Sequence, residues 1–262
     1  MTQNIQNLFQ LKGKGALITG GSRGLGLQMA RALGEAGARV MLNSRKAGDL
    51  EQAAAELKEA GIDAQWIAAD CSNEVDARRL ACEAIERLGV VDVLVNNAGA
   101  SWGAPAEDHP IEAWDKVMNL NLRSYFILSQ EVARRSMIPN KAGRIINISS
   151  VAGLNGNGPE MKTVAYNTSK TAVIGLTRTL AAEWGRYNIN VNAICPGFFM
   201  TKLAASLIKS LGEEKMMAST PLGRLGDDMD LKGITVLYAS EAGKHITGQW
   251  LAVDGGISVV TG

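Results

Sequence analysis

The sequence predicts a single α/β domain in which one doubly wound parallel sheet is covered by helices on both faces. Three observations lead there. Apolar periodicity switches repeatedly between short strand-like runs and longer helical ones. The strand-like runs are rich in Val, Ile and Ala, as parallel strands buried on both faces require. No Pro/Ser-rich linker, internal repeat or low-complexity segment divides the 262 residues, a length that one α/β domain can fill. Right-handed crossovers between successive strands then wind the chain to both sides of the sheet.

The elements follow in order. GALITG (15–20) is a short buried strand stopping at glycine, and a helical pattern runs over 25–35. RVMLNSR (39–45) is the second strand, and the helix over 50–60 is closed by Gly61. AQWIAAD (64–70) is the third, and Asn73 suits the N-cap of a helix running towards Leu88. VDVLVNNAG (91–99) is the fourth, followed by a long helical stretch over 111–135. GRIINISS (143–150) is the fifth, and the helix over 165–184 follows a glycine-rich loop. NINVNAICPG (188–197) is the sixth. Met200, Leu203, Leu207, Leu211 and Met216 fall near helical spacing, 228–240 is another helix, and GQWLAVDGG (248–256) is a seventh strand.

Composition narrows the function. With 27 Lys and Arg against 26 Asp and Glu, the net charge of +1 supplies no field for nucleic acid or an acidic membrane. No stretch approaches 18 uncharged apolar residues, and MTQNIQNLFQLKGKG lacks the apolar run of a signal peptide, so no membrane association is expected. Cys71, Cys82 and Cys195 form no C-x-x-C pair, and their odd number leaves no complete disulfide set. That points to a reducing, cytoplasmic setting. His109 and His245 lie far apart with no Cys/His cluster, so no metal site is expected.

Two motifs carry chemistry. TGGSRGLG (19–26) sits directly after the first strand. Its glycines allow a tight turn and close approach to a pyrophosphate, which the next helix's free N–H groups would face. Alone, the G-x-x-x-G-x-G spacing also suits a purely structural turn; its position in a βαβ unit favours the dinucleotide. Tyr166 and Lys170 stand four apart in a helix and project from one face. They are either a surface pair or a phenol whose pKa is pulled down by an ammonium for proton transfer.

The ordered set TGGSRGLG, Asp70, NNAG (96–99), Asn121, Ser150, YNTSK (166–170), PG (196–197) and DGG (254–256) resembles the short-chain dehydrogenase/reductase family over nearly the whole chain. The resemblance implies a seven-stranded Rossmann sheet, a nicotinamide cofactor and a homotetramer. It implies that Tyr166 is the acid/base, that Lys170 tunes it and bonds the nicotinamide ribose, and that Ser150 holds the substrate oxygen. Ser149 is the rival serine; Ser150 fits better because it directly precedes the small apolar Val151. Asn121 matches the support of a water relay to the lysine, with Asn119 competing. On the cofactor side it implies Gly20, Ser22, Arg23, Gly24, Leu25 and Gly26 along the cofactor, and Asp70 and Cys71 at the adenine. Asn97, Ala98 and Gly99 frame the cofactor, and Pro196, Gly197 and Thr201 lie at the carboxamide. Each has a plainer alternative: Asn97 closing a turn, Asp70 capping a helix, Cys195 a small buried hydrophobe.

The tip of the second strand decides between cofactors. An NAD site places Asp or Glu there for the ribose 2′-OH; here stand Asn43, Ser44, Arg45 and Lys46, with Arg23 nearby in the glycine loop. Guanidinium groups without a carboxylate suit a 2′-phosphate, hence NADP(H); the alternative is a solvated basic loop. The substrate side is less defined. Trp102, NGNGPEMKT (155–163) and a lid over 198–220 should flank an apolar cleft. The pattern including SWG (101–103) resembles bacterial 3-oxoacyl or general ketone reductases. The expected function is therefore NADPH-dependent reduction of a small-molecule carbonyl. An NAD-dependent alcohol or sugar dehydrogenase and a non-catalytic dinucleotide sensor are its rivals.

Overall fold

In the computed structural model, which describes residues 4–156, 158, 160–201 and 212–260, β1 (Gly15–Thr19), β2 (Arg39–Ser44), β3 (Ala64–Ala68), β4 (Val93–Asn96), β5 (Gly143–Ile148), β6 (Ile189–Pro196) and β7 (Trp250–Val253) form one sheet. Its order is β3-β2-β1-β4-β5-β6-β7 and all six pairings are parallel. The helices are α1 (Ile5–Leu8), α2 (Gly24–Glu35), α3 (Ala47–Glu59), α4 (Glu74–Leu88), α5 (Ile111–Met118), α6 (Ser124–Val132), α7 (Ile138–Asn140), α8 (Val164–Trp184), α9 (Glu213–Ala218) and α10 (Lys232–Ala239).

The two-residue period of a strand sends alternate side chains to opposite faces. Ile18, Leu42 and Val95 join one core with Met29 and Leu33 of α2, Leu50 of α3 and Tyr238 of α10. Leu17, Met41 and Leu94 join the other with Leu80 of α4, Leu128 of α6 and Leu180 of α8. Both faces are thus dry, which explains the continuous apolar runs. Strand order reverses between β1 and β4, and the crevice beyond their carboxyl ends is where ligands bind in such sheets.

Two expected elements come out differently. The helix over 111–135 instead runs from α5 to α7 with two π-helical segments, Asn119–Arg123 and Ala133–Met137. The second leads into Ile138–Asn140, where Pro139 lacks the N–H an α-helix would use. The last helix starts at Lys232 rather than 228. Asp230 accepts from both Arg224 Nη1 (2.6 Å) and Nη2 (2.7 Å) and from the Asp227 amide (2.8 Å), which holds 224–230 in a turn. In the 200–218 stretch, α9 and buried Met216 are present, whereas Leu203, Leu207 and Leu211 lie outside the described residues. Among those residues no helix is long and apolar enough to cross a membrane.

Candidate active site

The first wall is the β1–α2 turn. Gly20 has φ +63°, a left-handed conformation that favours glycine. At Gly26 a β-carbon would collide with the Gly20 carbonyl oxygen and lie 2.6 Å from Asn97 Nδ2. The turn therefore folds back on itself only without side chains at these positions. Arg23 occupies the N-cap of α2 and makes no side-chain capping bond, so the first N–H groups of that helix lack a side-chain cap. Leu25 packs against the core, whereas Ser22 and Gly24 are partly accessible. A β-carbon on Gly24 would lie 3.6 Å from Thr201 Cγ2, which brings Thr201 to the same wall.

The end of β4 locks that turn in place. Asn97 Nδ2 donates to the Thr19 carbonyl (2.9 Å) and the Gly20 carbonyl (3.3 Å). Thr19 Oγ1 accepts from the Asn97 and Ala98 amides at 2.9 and 3.0 Å. Asn97 thus braces the glycine turn from the end of β4. Asn121 stands inside the first π segment, fully buried. It accepts from the Ala100 amide (2.8 Å) and donates to the Ala100 carbonyl (2.9 Å) and Ser169 Oγ (3.0 Å). Its side chain pins the loop after β4, next to Gly99, against α8.

The titratable centre comes from β5 and α8. Lys170 is 3% exposed, and its Nζ donates to the Ile148 carbonyl at 2.7 Å. The ammonium lies 5.5 Å from the Tyr125 ring centroid and 5.6 Å from that of Tyr166. Tyr125 OH reaches the same Ile148 carbonyl at 3.3 Å. Burial lowers the Lys170 pKa to about 8, an effect the nearby Cys195 thiol partly opposes. For Tyr166 burial raises the phenol pKa, and the hydrogen-bonded Ser150 hydroxyl opposes the rise. The expectation of a phenol pulled down by Lys170 is thus corrected for the protein alone. The ammonium faces the ring and spends a proton on a carbonyl, so desolvation dominates.

The two serines diverge. Ser149 Oγ donates to the Lys170 carbonyl at 2.7 Å, away from Tyr166. Ser150 lies two residues past β5, caps a 3₁₀ turn by accepting from the Ala152 amide (3.1 Å), and is the serine whose hydroxyl opposes the rise in the Tyr166 pKa. Ser149, pinned to the α8 backbone, is the less available of the two.

At the tip of β2, Ser44 Oγ is buried without a hydrogen-bond partner among the described residues. Arg45 and Lys46 are exposed, and their side chains pair with none of those residues. Arg23 reaches Asp49 of α3 at 3.4 Å, with both side chains substantially exposed. Asn43 is not available to a ligand, because its amide is used inside the sheet. Asp70 Oδ1 accepts from the Ser72 amide (2.9 Å) and hydroxyl (2.7 Å), shaping the turn after β3. Buried Cys71 follows it, its thiol pushed up to about 12 by burial, with Asp70 and Asp76 adding to the rise.

On the far side Pro196 ends β6, and Gly197 packs so closely on Asp254 that a β-carbon would lie 2.7 Å from its Cα. A cavity of about 460 Å³ opens beside this contact, lined by Phe198, Phe199, Leu222, Leu225, Val253 and Asp254. Its lining contains none of Ser150, Tyr166 and Lys170, so it does not enclose the titratable centre. The expected flanks meet each other: the Ala104 amide donates to the Lys162 carbonyl at 2.9 Å. Trp102 is 44% exposed there, with Lys116 Nζ 6.0 Å from its ring. Asn157, Pro159 and the 202–211 part of the expected lid lie outside the described residues.

Thr19, Tyr125, Ser169 and the Ile148 carbonyl were not anticipated as site groups. Thr19 and Ser169 lie inside the TGGSRGLG and YNTSK motifs; nothing local marks Tyr125, because its partners come from β5 and α8.

Comparison with known proteins supports the reading. Residues 14–211 match the family model described as short chain dehydrogenase. The chain is 43% identical over 254 residues to a rhamnolipids biosynthesis 3-oxoacyl-[acyl-carrier-protein] reductase of Pseudomonas aeruginosa, covering 95% of this chain and 97% of that protein. It is 38% identical to a gluconate 5-dehydrogenase of Gluconobacter oxydans, covering 97% and 98%. Among solved structures, a gluconate 5-dehydrogenase from Burkholderia cenocepacia in complex with NADP and tartrate superposes with a TM-score of 0.93 at 35% identity, covering 98% of this chain and 100% of that one.

Proposed function

Because the chain belongs to the short-chain dehydrogenase family and is an oxidoreductase of that kind, we propose that it is an NADPH-dependent carbonyl reductase acting through Ser150, Tyr166 and Lys170. We also propose that the whole chain works as one cofactor-binding and catalytic unit. The observation that carries the reading is the buried Lys170 ammonium 5.6 Å from the centroid of the Tyr166 ring, with the Ser150 hydroxyl opposing the rise in that phenol's pKa.

The residues fit a nicotinamide dinucleotide. The glycine turn leaves a cradle that β-carbons would fill, and α2 presents amides without a side-chain cap to it. The Ser44 hydroxyl and the Arg45 and Lys46 side chains, without partners among the described residues, offer donors where a 2′-phosphate would sit. NADP in the gluconate 5-dehydrogenase complex supports that choice. When bound, the cofactor supplies hydride to the carbonyl carbon. Ser150 and Tyr166 hold the carbonyl oxygen as it gains charge, and Tyr166 donates its proton to it. The raised pKa keeps that phenol protonated until the oxyanion develops. Lys170 then returns a proton towards Tyr166, aided by a water near Asn121, whose side chain holds the adjoining loop.

A panel of 3-oxoacyl thioester, simple ketone and 5-keto sugar acid, each with NADPH, tests the reading. Turnover of none would overturn it. A sugar-acid substrate is the second reading, favoured by the gluconate 5-dehydrogenase similarity.

The lysine makes a pH prediction. Above about pH 8 the ammonium is lost, so kcat should fall there. Stability should move oppositely. The folded pKa is depressed from 10.5, so the unfolded chain binds more protons between about 8 and 10.5. Stability then rises with pH through that window. Urea midpoints over pH 7–10 should show this rise in wild type and lose it in Lys170→Met.

We also place the protein in the cytoplasm as a homotetramer. Trp250 and Leu251 on edge strand β7 are 43% and 46% exposed, apolar area that a second copy would cover. The tetramer itself rests on the family resemblance. Sedimentation should exceed the 27.8 kDa monomer severalfold; a monomer at micromolar concentration would exclude it.

A further inference from the structure

Asparagine is depleted in strands, yet Asn43 sits fully buried near the end of β2. Its Nδ2 donates to the Ile67 carbonyl (3.1 Å) and the Ala69 carbonyl (3.2 Å), and its Oδ1 accepts the Cys71 thiol proton at 3.0 Å. Carbonyls only accept and a protonated thiol donates, so chemistry fixes the amide's orientation. The thiol stays protonated because burial holds its pKa at about 12. Strand pairing between β2 and β3 ends at Ser44 and Ala68. Beyond that point the Ala69 amide donates to the Ser44 carbonyl (3.0 Å), and the Asn43 side chain adds its holds on Ala69 and Cys71. Its backbone carbonyl also accepts from the Gly21 amide (2.9 Å). One residue therefore joins three segments: the glycine turn, the Ser44–Arg45 tip and the Asp70–Cys71 turn.

We propose that Asn43, through its bonds to Ala69 and Cys71, is the positioning residue that sets the adenosine end of the cofactor site relative to the 2′-phosphate loop. This rests on the dinucleotide reading above. Asn43 touches no ligand in this role. It holds the spacing between the Ser44 hydroxyl and the Asp70–Cys71 turn, so its loss should act on one end of the cofactor alone.

The test begins with NADPH fluorescence titration of the wild-type protein; absence of binding there would refute the dinucleotide reading itself. Given wild-type binding, Asn43→Leu should raise the inhibition constant of 2′,5′-ADP and the KM for NADPH about tenfold, the scale of a lost buried hydrogen bond. At saturating NADPH, kcat and the KM for the ketone should stay within about twofold, a split that general loosening of the fold would not produce. An unchanged constant for 2′,5′-ADP, or a loss in kcat instead, overturns the proposal. If Asn43→Leu does not fold, Cys71→Ala carries the test, since it removes one anchor and leaves the two carbonyl bonds. About threefold weaker 2′,5′-ADP binding is then expected, and wild-type binding overturns the proposal.

Discussion

Tyr166→Phe is expected to lower kcat by about 10²–10⁴-fold, the worth of general acid catalysis, while NADPH binds nearly as well as before. The phenyl ring can still lie beside the Lys170 ammonium, 5.6 Å from its centroid in the native protein. What disappears is the hydroxyl that would protonate the developing oxyanion, the group whose pKa Ser150 lowers. Single-turnover rates with fluorescence titration separate the two effects, and a mutant keeping more than about a tenth of wild-type kcat would remove Tyr166 from this role. Ser150→Ala should cut kcat as well. Ser149→Ala acts differently, since its hydroxyl serves the Lys170 carbonyl at 2.7 Å. An effect confined to Ser149→Ala would mean that the substrate oxygen is held by the other serine.

The second large effect concerns the cofactor. Wild type should prefer NADPH to NADH in kcat/KM by about 10- to 10²-fold. Charge-assisted bonds are worth roughly 1.5–3 kcal/mol each, and exposure of Arg45 keeps the gain at the lower end. Arg45 is the chief donor because Arg23 already faces Asp49, at 3.4 Å. Ser44 adds a buried hydroxyl without a partner among the described residues. Arg45→Asp should abolish most of the preference: a carboxylate repels the phosphate and can accept from a free 2′-OH. Asn43 contributes nothing to NADH here, since its amide is turned into the sheet. Assays of both cofactors at one modest salt concentration check this. A wild-type ratio near one would overturn the NADPH assignment and leave Tyr166 and Lys170 untouched.

Much of this was legible before any coordinates. Patterns with a local cause transfer directly to structure: Asn73 caps α4 by accepting from the Asp76 amide, as its position before an amphipathic run implies. The glycine turn is local too, because φ of +63° at Gly20 and the absent β-carbon at Gly26 are properties of the residues themselves. The π segment around Asn121 was not legible. No Gly or Pro marks it, and its inward turn is settled by Ala100 and Ser169 from other elements.

By itself the sequence determined the alternation of strands and helices, the glycine turn, and which tyrosine and lysine share a helical face. These depend on periodicity and on residues within a few positions of one another. Only the tertiary structure decided the protonation and allegiance of those groups. Lys170 drops to about 8 because β5 and Tyr125 enclose it. Tyr166 rises rather than falls because burial outweighs its neighbours. Asn43 becomes an internal clamp because β3 delivers two carbonyls and a thiol to it. Desolvation and hydrogen-bond partnership depend on what arrives from distant parts of the chain, and a linear spacing does not contain that.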